Sequence, residues 1–288
     1  MPSVVSNHRA AFERFLVART ATNSIGTRHN QSVTRLRHPY PTPLSMPYLI
    51  DEQQIRAALR LAGLSYVEDL NPNLPRQAAL WLTMMVAAPR NLTAIRDPEN
   101  AINKHLIEPL TGRHRLIGAD LPIPHGPLID IGSGNGAPGL TLALCEPDRS
   151  ATLLDSRQGA SRFLTQVIEQ IDAPQITVRN QRAEQAAHSG LREQFAIAVT
   201  RAAAPPTVAL ELTVPFLRIG GIAAAWTGEL SDAESEAVAL ALRELGAEPT
   251  PIDPPADIIV ATKIRDTDRQ YPRSWNRIRR QPLGLRRP

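Results

Sequence analysis

The chain has 288 residues, of which 42% are hydrophobic and 21% charged, with a formal net charge of +4. That is enough for one large domain or two small ones with a substantial core, and no run nears the ~18 uninterrupted apolar residues of a membrane span. The single cysteine, Cys145, excludes an internal disulfide and any zinc site built on paired thiolates, and it fits a reducing, cytoplasmic compartment.

Residues 1–46 carry Arg9, Arg14, Arg19, Arg28, Arg35 and Arg37 against one acid, Glu13, and only a short apolar patch around Phe12, Phe15, Leu16 and Val17. Such a composition buries too little surface to order itself, which predicts a disordered extension with the fold beginning near Met46. An acid-poor, Arg- and Ser/Thr-rich start also fits an organellar transit peptide. Folding signals follow at once. Asp51 with Gln54 reads as a capping box for a helix carrying Ile55, Leu59 and Ala62, stopped by Gly63. Pro75 opens a second helix with Leu80, Trp81, Met84 and Met85, ended by Pro89. Asp97-Pro98-Glu99 starts a third, with Asp as cap and the acid answering the dipole, running toward Pro109. Residues 47–115 therefore read as a helical N-terminal subdomain.

From residue 116 the pattern alternates. Leu128 to Ile131 is a short apolar strand entering a glycine-rich turn, and Ala151 to Leu154 a second strand ending in Asp155. A helix follows, with Ser156 as its cap and Phe163, Val167 and Ile171 on one face. Ile176 to Val178 and Phe195 to Thr200 are the next strands, and a helix spans about 206–217. Ile219-Gly220-Gly221 then turns into a strand from Ile222 to Trp226. Ser231 with Glu234 is a second capping box, for a helix ending at Gly246, and Ile258 to Ile264 closes the sheet. Strands alternating with helices of this length predict a mostly parallel α/β sheet covered on both faces. The last residues, 266–288, are a basic tail. From Arg265 to Arg287 there are eight arginines, whose planar forks suit phosphate.

The chemical centre is Asp130-Ile131-Gly132-Ser133-Gly134-Asn135-Gly136-Ala137-Pro138-Gly139. A strand must reverse into a helix here within a few residues, and glycine supplies the positive φ angles and lets a ligand lie against the backbone. Residues 134–139 satisfy the dinucleotide pattern GxGxxG, but Gly132 occupies the place directly after the strand. An acid followed by three alternate glycines resembles instead the first motif of S-adenosylmethionine enzymes. Asp155 serves either reading, since both ligands carry ribose hydroxyls.

Three further segments narrow the resemblance: Asn91-Leu92-Thr93-Ala94-Ile95-Arg96-Asp97-Pro98 followed by His105; Leu153-Leu154-Asp155-Ser156 after the turn; and Arg182-Ala183-Glu184 with Thr200-Arg201-Ala202. In this order, over about residues 50–280, the chain resembles the glucose-inhibited division protein B family, the bacterial small-subunit rRNA guanine-N7 methyltransferases. The run Arg269-Gln270-Tyr271-Pro272-Arg273 is similar to the family's ending as well. The resemblance implies a Rossmann-like class I methyltransferase domain over 116–265 with a mostly parallel seven-stranded sheet. It implies S-adenosylmethionine as cofactor, 16S rRNA or the small ribosomal subunit as partner, no metal and no membrane. A monomer is expected.

Carried onto this chain, the resemblance assigns Asp130, Gly132, Gly134, Gly136 and Ala137 to the cofactor turn, Asp155 to the ribose, and Ala183 and Glu184 to the adenine border. Arg201 lies near the methionine end or the incoming base, positioning rather than transferring a proton. Asn91, Thr93, Arg96 and His105 form the substrate-side wall. Plainer readings stand beside these: Asn91 and Thr93 as a turn and cap, Arg96 paired with Asp97 or Glu99, His105 as a packing residue, and Glu184 answering a helix dipole. The chain departs from the family at Gly159 and Ala160, where a Lys-Arg pair is usual, at Ala196 for an acid, at Ala203 for an aromatic, and at Glu108-Pro109 for Asp-Ser. These departures leave the cofactor turn intact. A methyltransferase with a small-molecule or protein substrate, or a non-catalytic RNA- or nucleotide-binding relative, are the competing readings. Trp226, Tyr271 and Trp275 are the aromatics available to stack on a target base, with Trp226 expected in the sheet core.

Overall fold

The computed structural model describes residues 49–88, 95–118, 123–201, 204–251 and 257–285. Within them, a helical layer comes first: α1 (Glu52–Leu61), α2 (Val67–Leu70), α3 (Leu74–Ala87), α4 (Pro98–Ile102) and α5 (Glu108–Gly118). The capping box at α1 forms as the sequence predicts, Gln54 N–H reaching Asp51 Oδ1 and the Gln54 side chain accepting from Asp51 N–H, both at 2.9 Å. Asp97 likewise caps α4 through Asn100 N–H at 2.7 Å.

Pro109 does not end that third helix. A π turn over Asn103–Ile107 joins α4 to α5, with Glu108 N–H reaching back to Asn103 O, and the helix continues to Gly118. A proline has no N–H to donate and crowds the carbonyl four residues before it. Widening the preceding turn accommodates the ring, but the carbonyls of Lys104 and His105 lose their usual donors.

The sheet has seven strands in the order β3-β2-β1-β4-β5-β7-β6: β1 (Leu128–Ile131), β2 (Ala151–Asp155), β3 (Ile176–Asn180), β4 (Phe195–Thr200), β5 (Leu217–Trp226), β6 (Ala247–Pro249) and β7 (Ile258–Lys263). The pairs from β3 to β5 are parallel, and β7 runs antiparallel to both β5 and β6. The connecting helices are α6 (Gly139–Cys145), α7 (Gln158–Ile171), α8 (Ala183–Ala186), α9 (Pro206–Thr213) and α10 (Asp232–Leu245), and α11 (Trp275–Arg280) follows the sheet. α10 opens on the expected Ser231–Glu234 box and closes on Gly246 at φ 81°.

Side-chain alternation along the strands divides the core in two. Leu128, Leu153 and Ala224 pack on the face covered by α1, α3, α4 to α6 and α7. Ile129, Leu154 and Ala225 pack on the other, against α9 and α10. The N-terminal helices thus share one continuous core with the sheet. Trp226 belongs to it.

Three expectations shift. The N-cap position of α7 is Arg157 rather than Ser156, because the Asp155 carboxylate already receives Arg157 N–H at 2.7 Å. The fifth strand starts at Leu217, five residues early, absorbing Gly220 at φ 77° beside a register shift against β4. The described part of the basic tail is docked: Arg273 pairs with the fully buried Glu211 of α9 at 2.6 Å, Arg192 holds Tyr271 O at 2.7 Å, and Leu283 is buried. No described helix is long and apolar enough to cross a membrane.

Candidate functional site

The chain leaves β1, runs outward through β2 to β3, and returns to β4 on the other side of β1. Open α/β sheets bind ligands at such a switch point, beyond the carboxyl ends of the strands. The glycine turn sits there. Gly132, Gly134 and Gly136 have φ of 75°, 57° and 119°, so the turn follows a path that side-chain-bearing residues rarely adopt. It is sewn to the end of β2: Gly132 N–H and Ser133 N–H donate to Leu154 O at 2.8 and 3.1 Å, and Gly134 N–H to Asp155 Oδ2 at 2.8 Å. It is also tied to α3, since the Trp81 indole donates to Asn135 O at 2.8 Å.

A cleft of about 270 Å³ opens beside this turn. Ile131 and Gly132 contribute from β1, Leu154, Asp155 and Ser156 from β2, Gln181 to Glu184 from the start of α8, and Thr200 from β4. Ala209 and Leu212 of α9 and Trp275 of α11 complete it. Its apolar floor and polar rim suit a flat heterocycle joined to a hydroxylated sugar. A Cβ added at Gly132 would meet nothing within 4 Å, so the backbone there is open to the cleft. Asp155 has each carboxylate oxygen engaged by one backbone N–H, and its remaining acceptor sites are met only at 3.4 Å by the guanidinium of Arg157, whose side chain is 60% exposed, so hydroxyl groups can take its place.

Asp130 stands elsewhere. It is fully buried beneath the turn, with Oδ2 accepting Gly139 N–H at 3.1 Å, and burial pushes its carboxyl up to about 7. Gly139 must lack a side chain, because a Cβ there would lie 2.2 Å from Asp130 Cβ. Gly136 is pressed against Trp81, and Ala137 is 6% exposed in the core. Asp130, Gly136, Ala137 and Gly139 shape the turn from behind and do not line the cleft.

A second cluster lies where β4 ends. The Arg201 guanidinium donates to Lys104 O and, at 2.8 Å, to His105 Nδ1, with Glu108 3.9 Å away. Lys104 O is one of the two carbonyls released by the π turn. Thr141 Oγ1 takes the other, His105 O. Burial, with the charges of Arg201 and Lys104, drives His105 down to about 3, so the ring is neutral. Guanidinium only donates, so Nδ1 must accept and the proton sits on Nε2. The ring meets Trp81 edge-on at 6.5 Å, which links this cluster to the glycine turn.

The structure therefore brings Gly132, Asp155, Ala183 and Glu184 into one cleft, and Arg201 with His105 into an adjoining cluster. Gly134 braces Asp155 from outside the lining. Arg96 departs from its expected place and from a pairing with Asp97 or Glu99: it donates to Val86 O at 2.6 Å and to Ala88 O, holding the end of α3. Asn91, Thr93 and Ala203 lie outside the described residues. Ala160 is buried on the inner side of α7 and Ala196 within β4. Tyr271 is buried with its hydroxyl on Glu244 at 2.8 Å, so it is not free to stack on a base. Sequence reasoning missed Trp81 and the place of Trp275, both of which arrive from distant segments. Among the described residues, no three His, Cys, Asp or Glu side chains gather to hold a metal ion.

Residues 80–252, which hold the turn, the cleft's strand ends and the Arg201 cluster, match the family model of rRNA small subunit methyltransferase G, GidB. The chain belongs to this family. Proteins named ribosomal RNA small subunit methyltransferase G from Acetivibrio thermocellus and Chloroflexus aggregans are 35% and 34% identical to it, over 202 and 201 residues. Each alignment covers 67% of this chain, and 81% and 82% of the respective relatives. The namesake from Oenococcus oeni is 33% identical over 202 residues. The GidB match stops short of the docked segment after β7, so Trp275 reaches the cleft from outside it.

Proposed function

We infer that this chain transfers the methyl group of S-adenosylmethionine to N7 of a guanine in small-subunit ribosomal RNA. The observation that carries this reading is the cleft: in a GidB-family chain, a side-chain-free backbone at Gly132 faces a carboxylate, Asp155, whose remaining acceptor sites carry only the 3.4 Å contacts of the exposed Arg157 side chain. When bound, the cofactor supplies a methyl group already activated on a sulfonium. Asp155 accepts from the ribose hydroxyls, and residues 181–184 border the adenine.

Guanine N7 is a lone pair with no proton to remove, so the site needs alignment and electrostatics rather than a general base. The second cluster fits that need. Arg201 is preset by Lys104 O and His105, and a neutral His105 at working pH neither competes for protons nor repels the guanidinium. Arg201 orients the incoming base, and His105 holds Arg201. The base must leave its stack to reach the cleft. The partner is the small ribosomal subunit or its free RNA, the protein acts as a monomer, and its place is the cytoplasm where ribosomes are.

The test is methyl transfer from labelled S-adenosylmethionine to 30S subunits and to naked 16S rRNA, each isolated from cells lacking this gene. Label should appear as N7-methylguanine at one position. Label in another base or atom, or none with any ribosomal substrate, refutes the assignment.

A further inference from the structure

The segment after β7 is folded back across the sheet and ends its path at the cleft. Arg273 Nε and Nη2 reach the two oxygens of the fully buried Glu211 at 2.8 and 2.6 Å, and Arg273 Nη2 also holds Gln281 O at 2.9 Å. His188 Nε2 lies 2.9 Å from Pro272 O. Beyond α11, Leu283 is buried, and Gly284 passes so close to Ala237 that a Cβ there would lie 1.9 Å from its carbonyl oxygen. α11 is thus anchored on both sides, and its first residue, Trp275, is held half-buried at the cleft. The Arg182 guanidinium sits 5.7 Å from the centre of the indole, and Arg182 is itself held by Glu184.

We propose that Trp275 is a cofactor-binding residue, forming the aromatic wall against the adenine of S-adenosylmethionine. The assignment rests on the reading of the cleft as the cofactor site. Trp275 lines the cleft beside Gln181, Arg182, Ala183 and Glu184, past Asp155, which is the nucleoside end. Arg201 and His105, which face the methyl acceptor, are not among its neighbours in that lining. An indole there offers a large rigid apolar surface at low entropic cost, the kind of platform on which a base packs. The Arg182 contact fixes the ring before the ligand arrives. The same short helix carries Arg277, Arg279 and Arg280, so the cofactor wall and a basic surface share one element.

Calorimetric titration of the full chain with S-adenosylhomocysteine, and separately with 5′-methylthioadenosine, tests this. Trp275→Ala should weaken both ligands by a similar factor, at least about tenfold, while Trp275→Phe stays within about threefold. Equal affinity in wild type and Trp275→Ala overturns the proposal, including the case in which only the KM for RNA rises, which would make Trp275 a stacking platform for the target base. Failure of the wild type to bind either ligand sinks the cofactor reading itself, a separate result. Should the alanine variant not fold, Trp275→Leu decides against Trp275→Phe: loss of the ring face in the leucine variant must weaken both ligands about tenfold relative to the phenylalanine variant, and equal affinity of the two refutes the assignment.

Discussion

Asp130→Asn separates two energies that the structure sets against each other. The carboxyl is fully buried, Oδ2 accepts Gly139 N–H at 3.1 Å, and Oδ1 has no partner among the described residues. Burial outweighs the Ser133 hydroxyl, the Gly139 N–H and the charge of Arg201, raising the carboxyl from 3.8 to about 7. A carboxyl raised on folding prefers its neutral form in the folded state. Its contribution to stability is complete below pH 3.8 and is lost as pH rises through about 7. At ~1.4 kcal/mol per pH unit, the loss approaches about 4 kcal/mol by pH 8.

Asparagine never charges and keeps an oxygen for Gly139 N–H. Its amide nitrogen, however, lands where Oδ1 has no acceptor, at a cost of about 1–3 kcal/mol for an unmet buried donor. The difference between the two proteins should therefore change sign. Below pH 3.8 the variant is less stable than wild type by about 1–3 kcal/mol; by pH 5 wild type has already lost about 1.6 kcal/mol of that lead, and at pH 8 the variant is more stable by about 1–3 kcal/mol. Urea denaturation of both proteins without cofactor, at whole pH units from 5 to 8, reads this directly, because every other titrating group cancels in the difference. A difference that stays constant across that range refutes the account of Asp130.

Arg201→Ala should cut turnover by about a hundredfold, the scale of losing one preset electrostatic donor, while S-adenosylhomocysteine affinity holds within about threefold. Equal losses in both would place Arg201 on the cofactor instead. Asp155→Asn should weaken the cofactor by about ten- to a hundredfold, since hydroxyls lose a charged acceptor, and should lower the melting temperature too, because its amide nitrogen faces one of the two backbone N–H donors that the carboxylate accepts; unchanged affinity by calorimetry removes Asp155 from the ribose. Arg273→Met strands the buried Glu211 and should cost about 3–5 kcal/mol in denaturant, most of it recovered in the Arg273→Met/Glu211→Met double variant. A double variant no better than the single would mean the pair is not what anchors the segment.

What the sequence discloses of this fold is what short range decides. Asp51 with Gln54, and Ser231 with Glu234, each meet within one helical turn, and both boxes form as read. The short edge strand β6 escapes notice because Ala247 to Pro249 is too brief for a period and ends in a proline, which only an edge position tolerates. Asp130 and Asp155 look alike in sequence, each an acid at the end of an apolar strand. Register separates them. Asp130 lies level with Leu153, so Asp155 stands two residues, about 7 Å, further along the sheet, past its edge and into the cleft. Nothing local to either residue contains that difference.

Pro109 carries the same lesson into the site. As a helix breaker it predicts an end that does not come. In the folded chain its missing N–H and the wide turn before it free Lys104 O and His105 O, on the surface that β4 approaches. Arg201 is then fixed by a carbonyl that an unbroken α-helix would have kept for itself. The residue that spoils the periodicity of the helix is thus the one that creates the anchor for Arg201. The departure from the family at Glu108-Pro109, for a usual Asp-Ser, follows the same logic: Glu108, 3.9 Å from the Arg201 guanidinium, keeps an acid beside that anchor while the proline opens it.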